Sequence, residues 1–418
     1  MTDRRFTPPR PAANETIQFE TDWVEIVLFQ IKLLHLPDNT TKATMDIPFI
    51  FGKIADGANF TDRVCDTEKL VGNFRGLVNT VIISPRRWGK TSLVNHALQR
   101  IRDDKDYMVC KIDIFNCRTE VQFYQTYANA VMKASYTKLD EFVAAAKKYI
   151  GTFGPKLALS DSGMQYELSL GIDFKDKQYS YDEILDLPQQ IAAEKGKKFI
   201  VCIDEFQNVS AYGDTLGFQR KLRSHWQTHN RVGYCMYGSK RHMLLDIFSN
   251  YEMPFYKFGD IMFLEKISLA DWVDFIVSRF ESTGKRISRE AAAQIAELAE
   301  CHPYYVQQLA QQAWLRTTGN CDGDTVEDAF KSLVGQLGLL FSNIIDTLTA
   351  KQISFLQAVA NGEKNFSSKE VLAKYSLGTS ANVKNLRKAL QDKDLIDITH
   401  NSITLQDPVL SYWIRNIY

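Results

Sequence analysis

Short runs of apolar and β-branched residues alternate with helical patterns between about residue 77 and residue 266. The runs that predict strands are 77–84, 107–115, 198–204, 232–238 and 261–264. This alternation is typical of a parallel sheet that is covered by helices on both faces. We therefore predict an α/β core over residues 45–266, with a helix at 118–150 and a small inserted hairpin within 151–177.

The pattern becomes helical after Lys266. Ser268 and Thr325 are each followed three residues later by an acid, which is the spacing of a capping box, and Ser288 indicates another helix start. These signals predict a helical lid over residues 267–341.

A different order of elements begins at residue 342: helix, short helix, helix and two short strands around His400 and Asn401. This is the order of a winged helix. We predict a winged-helix domain over 342–418, with 379–392 as its recognition helix.

Residues 1–44 differ in composition from the rest of the chain, and Met45 resembles a natural protein start. We expect this arm to be dispensable. Its apolar stretch at 23–36 is too short, and interrupted by too many polar residues, for a membrane span. No basic region runs directly into it and no small-residue cleavage site follows, so a secretory signal is not expected either.

The chain carries 50 basic and 50 acidic residues among 418, so no overall charge attracts it to nucleic acid or to anionic lipid. A chain of this length is expected to form two or three domains.

Its seven cysteines are scattered and none forms a C-x-x-C pair. This pattern excludes a zinc site or a disulfide framework and favours reduced thiols in a cytoplasmic protein.

The segment from Val81 to Ser92 carries the strongest chemical signal, because an apolar strand leads into a Gly-Lys-Thr turn that opens a helix. Such a loop directs backbone N–H groups at phosphate. We expect Lys90 to face solvent in the empty site and to neutralise phosphates, and Thr91 to bind Mg²⁺. The first position of this Walker A pattern is Ser84 instead of glycine. The expected phosphate-binding residues are Ser84, Pro85, Arg86, Arg87, Trp88, Gly89, Lys90, Thr91 and Ser92.

A second signal is the acid pair Asp204-Glu205 at the end of a buried strand, the pattern of a Walker B motif. Asp204 would hold Mg²⁺, and Glu205 would polarise the water that attacks the γ-phosphate. Ser239 follows the next strand along the chain and is a candidate γ-phosphate sensor. It could equally be the N-cap of the helix that follows.

With these motifs in place, the chain resembles the archaeal-type ATPases of the AAA+ superfamily, within the STAND-like signalling NTPases. The resemblance also covers Phe60-Thr-Asp-Arg63 with Glu68 and Leu70, and Cys301-His302-Pro303. It implies an ASCE-type P-loop sheet, a lid and a winged helix, and it places Arg63, His302 and Pro303 near the nucleotide. Helix punctuation would explain His302-Pro303 equally well. Lys257 stands where relatives often carry an arginine finger, which puts that role in doubt.

The predicted recognition helix exposes Lys384, Arg387 and Lys388, a pattern that suits DNA contact. The acids at 392, 394 and 397 oppose it, so the domain could instead dock a protein.

These observations lead to one functional prediction with two alternatives. The prediction is a slow ATPase, using ATP and Mg²⁺, whose nucleotide state controls the lid, the winged helix and an unidentified protein partner. The alternatives are a DNA-associated ATPase of a mobile element or defence system, and a nucleotide-binding scaffold with negligible hydrolysis. Glu205 discriminates the scaffold from the enzyme. A metabolic kinase would have no use for the acid pair, the lid and the winged helix.

Overall fold

The computed structural model describes residues 47–150, 155–159, 166–170, 182–399 and 402–418. The predicted arm at 1–44 and the predicted turn at His400-Asn401 lie outside these ranges. No helix among the described residues combines the length and the apolarity that a membrane span needs. All seven cysteines are free, and five of them are buried.

Five parallel strands form the central sheet, in the order β2-β5-β6-β1-β7. The strands of this sheet are β1 (Thr80–Ile83), β2 (Tyr107–Asp113), β5 (Lys198–Asp204), β6 (Val232–Tyr237) and β7 (Asp260–Phe263). They are the five strands that the apolar runs predict. The predicted hairpin is also present, as the antiparallel pair β3 (Pro155–Leu159) and β4 (Tyr166–Leu170).

The sheet is covered on both faces, and the alternation of its side chains accounts for this. Val201 and Ile203 point into one hydrophobic cluster, and Ile200 and Cys202 point into the other. In the part of the chain that the structure describes, seven helices cover or flank the sheet: α1 (Val64–Arg75), α2 (Lys90–Arg102), α3 (Glu120–Ser135), α4 (Leu139–Ile150), α5 (Asp182–Glu194), α6 (Thr215–Trp226) and α7 (Arg241–Ser249). The single helix predicted at 118–150 is therefore two helices, α3 and α4.

The chain then becomes helical, as predicted. The next elements are α8 (Leu269–Glu281), β8 (Arg286–Ile287), α9 (Arg289–Leu298), α10 (Pro303–Arg316), β9 (Asn320–Cys321) and α11 (Gly323–Asp346). Ser268 and Ser288 are N-caps, but Thr325 is not. Asp322 caps α11 and accepts hydrogen bonds from the backbone N–H and the hydroxyl of Thr325. A carboxylate at the positive end of the helix is the better cap, so the helix begins earlier than predicted.

The last elements are α12 (Ala350–Ala360), α13 (Lys369–Lys374), α14 (Ser380–Asp392), β10 (Ile396–Ile398), β11 (Ile403–Leu405) and α15 (Pro408–Asn416). One continuous hydrophobic cluster joins these elements to the lid helices α8 to α11. Helix α11 runs across residue 341, where the sequence predicts the boundary between lid and winged helix, so that boundary stays a prediction. A shared core makes it costly to separate the two parts.

Candidate functional site

The loop between β1 and α2 turns tightly at Gly89, which has a φ of +87° and is the N-cap of α2. Glycine adopts this left-handed conformation without the steric cost that a Cβ atom adds. The carbonyl of Gly89 accepts the hydrogen bond of Leu93 N, at 2.9 Å, and so starts the helical ladder. The N–H groups of the first turn of α2 have no partner within the helix and are free to bind an anion.

The side chain of Lys90 folds back onto this loop. Its Nζ donates to the carbonyl oxygens of Pro85, at 2.7 Å, and Ser84, at 3.1 Å, and to the Ser84 hydroxyl at 3.2 Å. Lys90 is only 7% exposed, so the prediction that it faces solvent is wrong. Burial lowers the pKa of Lys90 to about 8, while the nearby Glu205 and Asp204 oppose the shift. The loop carbonyls accept the hydrogen bonds of the ammonium group, and phosphate oxygens could replace them as acceptors.

Thr91 and Asp204 meet at the adjacent ends of α2 and β5. The Thr91 hydroxyl donates to Asp204 Oδ2 at 3.1 Å, and burial raises the pKa of Asp204 to about 6. A hydroxyl and a carboxylate are the hard oxygen ligands that Mg²⁺ prefers, and Mg²⁺ needs only one or two of them beside phosphate and water. The pair therefore fits Mg²⁺. Among the described residues no group of three acids, histidines or cysteines could hold a metal by itself.

Glu205 and Ser239 are hydrogen-bonded to each other at the ends of β5 and β6. Glu205 Oε2 accepts from the Ser239 hydroxyl at 2.9 Å and from the side-chain amide of Gln207. Glu205 has a φ of +56°, uncommon for a residue with a side chain. A Cβ atom at Gly238 would lie 1.9 Å from Gln207 Oε1, so a side chain there would displace the buried amide of Gln207. The N-cap of α7 is Lys240, so the alternative role of Ser239 as that cap is wrong.

These groups line one cavity of about 500 Å³. Because β6 lies between β1 and β5, the loop, the sensor candidate and the acid pair occupy three neighbouring strand ends. The predicted site residues that line the cavity are Arg86, Arg87, Gly89, Lys90, Thr91, Ser92, Asp204, Glu205, Ser239 and Pro303. Their roles at a nucleotide stay predictions.

Two solved structures share this architecture over most of the chain. A Walker-type ATPase of Pyrococcus abyssi is 16% identical, with a TM-score of 0.60 over 88% of this chain and 99% of its own. The ORC2 protein of Aeropyrum pernix, in ADPNP–ADP complexes, is 13% identical, with a TM-score of 0.54 over 89% of this chain and 95% of its own. The chain shares the fold of these two structures, with a parallel sheet that is covered by helices on both faces and a P-loop after its first strand. The fold class that we predicted is thereby confirmed.

The winged helix is supported separately. Residues 339–416 match the family described as a probable winged helix domain. No curated protein matches the chain in sequence. At identities this low, the two solved structures establish the fold alone. The ligand of the cavity has to be argued from the site.

The wall of the cavity that faces the lid includes residues that sequence reasoning missed. Residues 50–55 cross in front of α2, where Ala55 N donates to the Ser92 hydroxyl at 3.0 Å. From the lid, Tyr304 and Gln307 complete the wall, and Gln307 Oε1 accepts from Ile50 N at 3.2 Å. We name residues 50–55 the strap. The sequence analysis assigned no role to these residues and interpreted only the segment before them, at 45–49, as a protein start.

Arg63 lies behind the P-loop and does not line the cavity. Its buried guanidinium donates to the carbonyl oxygens of Glu265, at 2.9 Å, and Trp88, at 3.3 Å, and it pairs with Asp66 at 3.0 Å. These bonds connect the loop to the segment after β7. The structure therefore gives Arg63 a positioning role, and the direct nucleotide contact that the resemblance implies has no support from this cavity.

His302 also lies outside the cavity, although its neighbour Pro303 lines it. His302 is 6% exposed, and burial lowers its pKa to about 4, so it is neutral. It lines two other cavities, next to Ser84, Pro85 and Trp88 in one and next to Arg86 and Arg87 in the other. Lys257 is exposed and lies above the ring of Tyr256, at 5.3 Å. Neither residue reaches the candidate site in this conformation.

The winged helix contacts the core of residues 45–266 through two ion pairs and one histidine–carboxylate contact. Three consecutive core residues, Lys240, Arg241 and His242, follow the sensor candidate. They pair in turn with Asp394 at 3.8 Å, with Asp397, and with Asp392 at 4.0 Å. The acids that oppose DNA contact in the sequence therefore serve the contact with the core. Arg387 is half-buried, with its guanidinium 5.5 Å above the ring of Phe366, so the prediction that it is exposed is wrong.

Two truncations test the strap. Deletion of residues 1–44 is expected to preserve folding and ATP binding. Deletion of residues 1–56 is expected to weaken ATP binding by at least about tenfold, because it removes six lining residues and their bonds to Ser92 and Gln307. Calorimetric titration with ATP measures both, and melting curves report folding. Equal affinities in the two truncated proteins would contradict a role of the strap at the nucleotide.

Proposed function

We propose that the chain binds ATP with Mg²⁺ in this cavity and slowly hydrolyses it to ADP and phosphate. The supporting observation is that Lys90, the Thr91–Asp204 pair and the Glu205–Ser239 pair line one cavity at neighbouring strand ends. Together they supply a cation, two hard oxygen ligands and a general base, which are the parts that phosphoryl transfer to water needs.

Each group has a distinct role in this proposal. Lys90 would exchange the loop carbonyls for phosphate oxygens. Thr91 and Asp204 would hold Mg²⁺, which neutralises the developing negative charge on the phosphates. Glu205 would orient a water molecule and accept its proton, while Ser239 fixes the position of the Glu205 carboxylate.

We further propose that the nucleotide acts as a switch between the core and the lid. Both parts line the cavity: the strap and the P-loop on one side, Tyr304 and Gln307 on the other. A ligand that contacts both parts favours their closed arrangement. Because the lid and the winged helix share one hydrophobic cluster, they would move together as one body. The winged helix then carries the nucleotide state to a protein partner.

The wild-type protein tests this proposal directly. Calorimetry with Mg²⁺ and ATP is expected to detect binding, and a phosphate-release assay is expected to detect turnover that is slow but above the uncatalysed rate. The scaffold alternative predicts binding without release. Absence of binding at millimolar ATP would reject both.

A second candidate function is DNA contact through the winged helix. Lys384 and Lys388 are exposed on α14, one turn apart. Lysines on one face of such a helix can bind the phosphate backbone. The observation supports a local, salt-sensitive interaction in a chain without net charge.

The double substitution Lys384→Glu with Lys388→Glu tests this candidate. If the winged helix binds DNA, the double variant is expected to bind much more weakly, and the slope of log affinity against log salt is expected to fall by about one for each phosphate that is no longer neutralised. Fluorescence anisotropy with duplex DNA over a range of salt concentrations measures both. Lys351→Glu with Lys369→Glu is the matched control, since both lysines are exposed elsewhere in the same domain. Wild-type protein without salt-sensitive binding leaves the protein-docking alternative.

A further inference from the structure

Gln207 is a buried amide behind the acid pair. It belongs to the short 3₁₀-helix Phe206–Ala211 that follows β5, it is 1% exposed, and it does not line the candidate cavity. Its Nε2 donates to Glu205 Oε2, whereas its Oε1 is buried without a hydrogen-bond partner among the described residues. An ionised carboxylate can only accept hydrogen bonds, so this contact decides which end of the amide faces Glu205.

Stability alone does not explain an amide at this position. A buried amide with one unpartnered atom carries a desolvation cost that an apolar side chain of similar size avoids. Phe206 and Val209 of the same short helix are apolar and fully buried. The polar group of Gln207 therefore needs another reason, and its only hydrogen bond in the described part of the chain goes to Glu205.

The hydrogen bonds to Glu205 are unevenly divided between its two carboxylate oxygens. Oε2 accepts from Gln207, from the Ser239 hydroxyl at 2.9 Å and from Ser239 N at 3.4 Å. No hydrogen bond from the residues that the structure describes reaches Oε1. Oε1 is therefore the oxygen that can take the proton of the attacking water, while Oε2 holds the carboxylate in place.

The amide of Gln207 is itself held in position by its surroundings. Next to it in the chain, the ring of Phe206 is fully buried, and Asn208 Nδ2 donates to the carbonyl oxygen of Ile114 at 3.1 Å. On another side the backbone of Gly238 lies so close that a Cβ atom there would be 1.9 Å from Gln207 Oε1. The amide therefore has little room to turn away from the carboxylate.

Gln207 and Ser239 differ in their exposure to a nucleotide. Ser239 lines the cavity, so a phosphate bound there can compete for its hydroxyl. Gln207 lies outside the lining, so its bond to Glu205 is not open to that competition. We propose that Gln207 is a positioning residue for hydrolysis, which holds the Glu205 carboxylate through Oε2 and so leaves Oε1 to act as the general base. The inference rests on the proposed function, since it requires hydrolysis at Glu205.

Gln207→Met removes the donor and keeps the length and the burial of the side chain. The kcat of ATP hydrolysis is expected to fall about 10- to 100-fold, because a misplacement of about 1 Å in a reacting group can cost that much. The Kd of ATP is expected to change by less than about twofold, since Gln207 does not line the cavity. Phosphate-release assays and calorimetry measure the two quantities separately.

The melting temperature distinguishes positioning from a structural role. Gln207→Met is expected to melt at or above the wild-type temperature, because it no longer buries an unpartnered amide oxygen. Gln207→Asn retains an amide that is one methylene too short for the carboxylate, and it is expected to lower kcat to a similar extent. This second variant keeps the kinetic test available if methionine disturbs the packing.

A double-mutant cycle with Glu205→Gln shows whether Gln207 acts through the base. In the Glu205→Gln background, Gln207→Met is expected to change the residual rate by less than about twofold, because no base remains to be positioned. A further loss as large as that in the wild-type background would overturn the inference, since Gln207 would then act by another route.

Gln219→Met is the matched control. Gln219 is fully buried on α6, neither of its amide atoms has a hydrogen-bond partner among the described residues, and it does not line the cavity. Its kcat is expected to equal that of the wild type. Gln207→Met with wild-type kcat, or with a lower melting temperature and weaker ATP binding alongside the lower kcat, would overturn the inference. Wild-type protein that binds ATP and releases no phosphate would instead reject the proposed hydrolysis beneath it.

Discussion

Replacement of Glu205 by glutamine is expected to lower the rate of ATP hydrolysis by about 10²–10⁴-fold while ATP binding persists. Glutamine is nearly isosteric with glutamate, and its amide oxygen can still accept from the Ser239 hydroxyl and from Gln207. The strained backbone at this position should therefore keep its conformation. The variant lacks only the carboxylate that takes the proton of the attacking water.

Two measurements test the Glu205→Gln prediction together. Phosphate release under single-turnover conditions reports the chemical step. Protection of residues 266–330 from protease reports closure of the lid, and we expect the variant to show this protection with ATP. Glu281→Gln is the matched control, since Glu281 is exposed on α8 far from the acid pair in sequence and does not line the cavity. Unchanged phosphate release would transfer the role of base to Asp204. Loss of ATP binding would mean that Glu205 is structural.

Replacement of Lys90 by alanine is expected to weaken ATP binding by at least about 100-fold, which corresponds to roughly 3 kcal/mol. The ammonium group is the cation at the centre of the P-loop, and each charge-assisted bond to phosphate is worth about 1.5–3 kcal/mol. Lys90→Met retains the apolar stem and removes the charge, so it is expected to lose binding to the same extent.

The folding of these variants needs its own measurement, because Lys90 is buried and bonded to Ser84 and Pro85. Removal of the ammonium group leaves loop carbonyls without a donor, but it also removes a desolvated charge, and the two effects partly cancel. We expect the melting temperature to change by about 5 °C or less. Near-native ATP affinity in both variants would reject the P-loop as the nucleotide site.

Local patterns in the sequence were sufficient to predict the sheet and its chemistry. The apolar runs of β1, β5 and β6 are buried on both faces, so their composition alone identified them as strands. The Gly-Lys-Thr turn and Asp204-Glu205 each stand at the end of such a strand, and neighbouring parallel strands bring their ends together. The winged helix was equally visible, because its order of short elements is a local property of the chain.

Contacts between distant segments were not predictable in this way. The strap meets Gln307 across 257 residues, and nothing in the composition of either segment points to the other. The acids after the recognition helix appeared to be solvent-facing charges that oppose DNA, but packing places them against Lys240, Arg241 and His242. Their charge was visible in the sequence, and their partner was not.

The sequence by itself determined which residues stand at the strand ends and what chemistry they can perform, because the apolar pattern locates the strand ends and the residue types set the chemistry. Only the tertiary structure decided how those residues are engaged. It buried Lys90 against its own loop, placed His302 outside the candidate cavity, and gave Arg86 and Arg87 a place in the lining of two cavities. Burial and charge pairing depend on the packing of segments that are far apart in the chain, and local residue patterns carry no information about that packing.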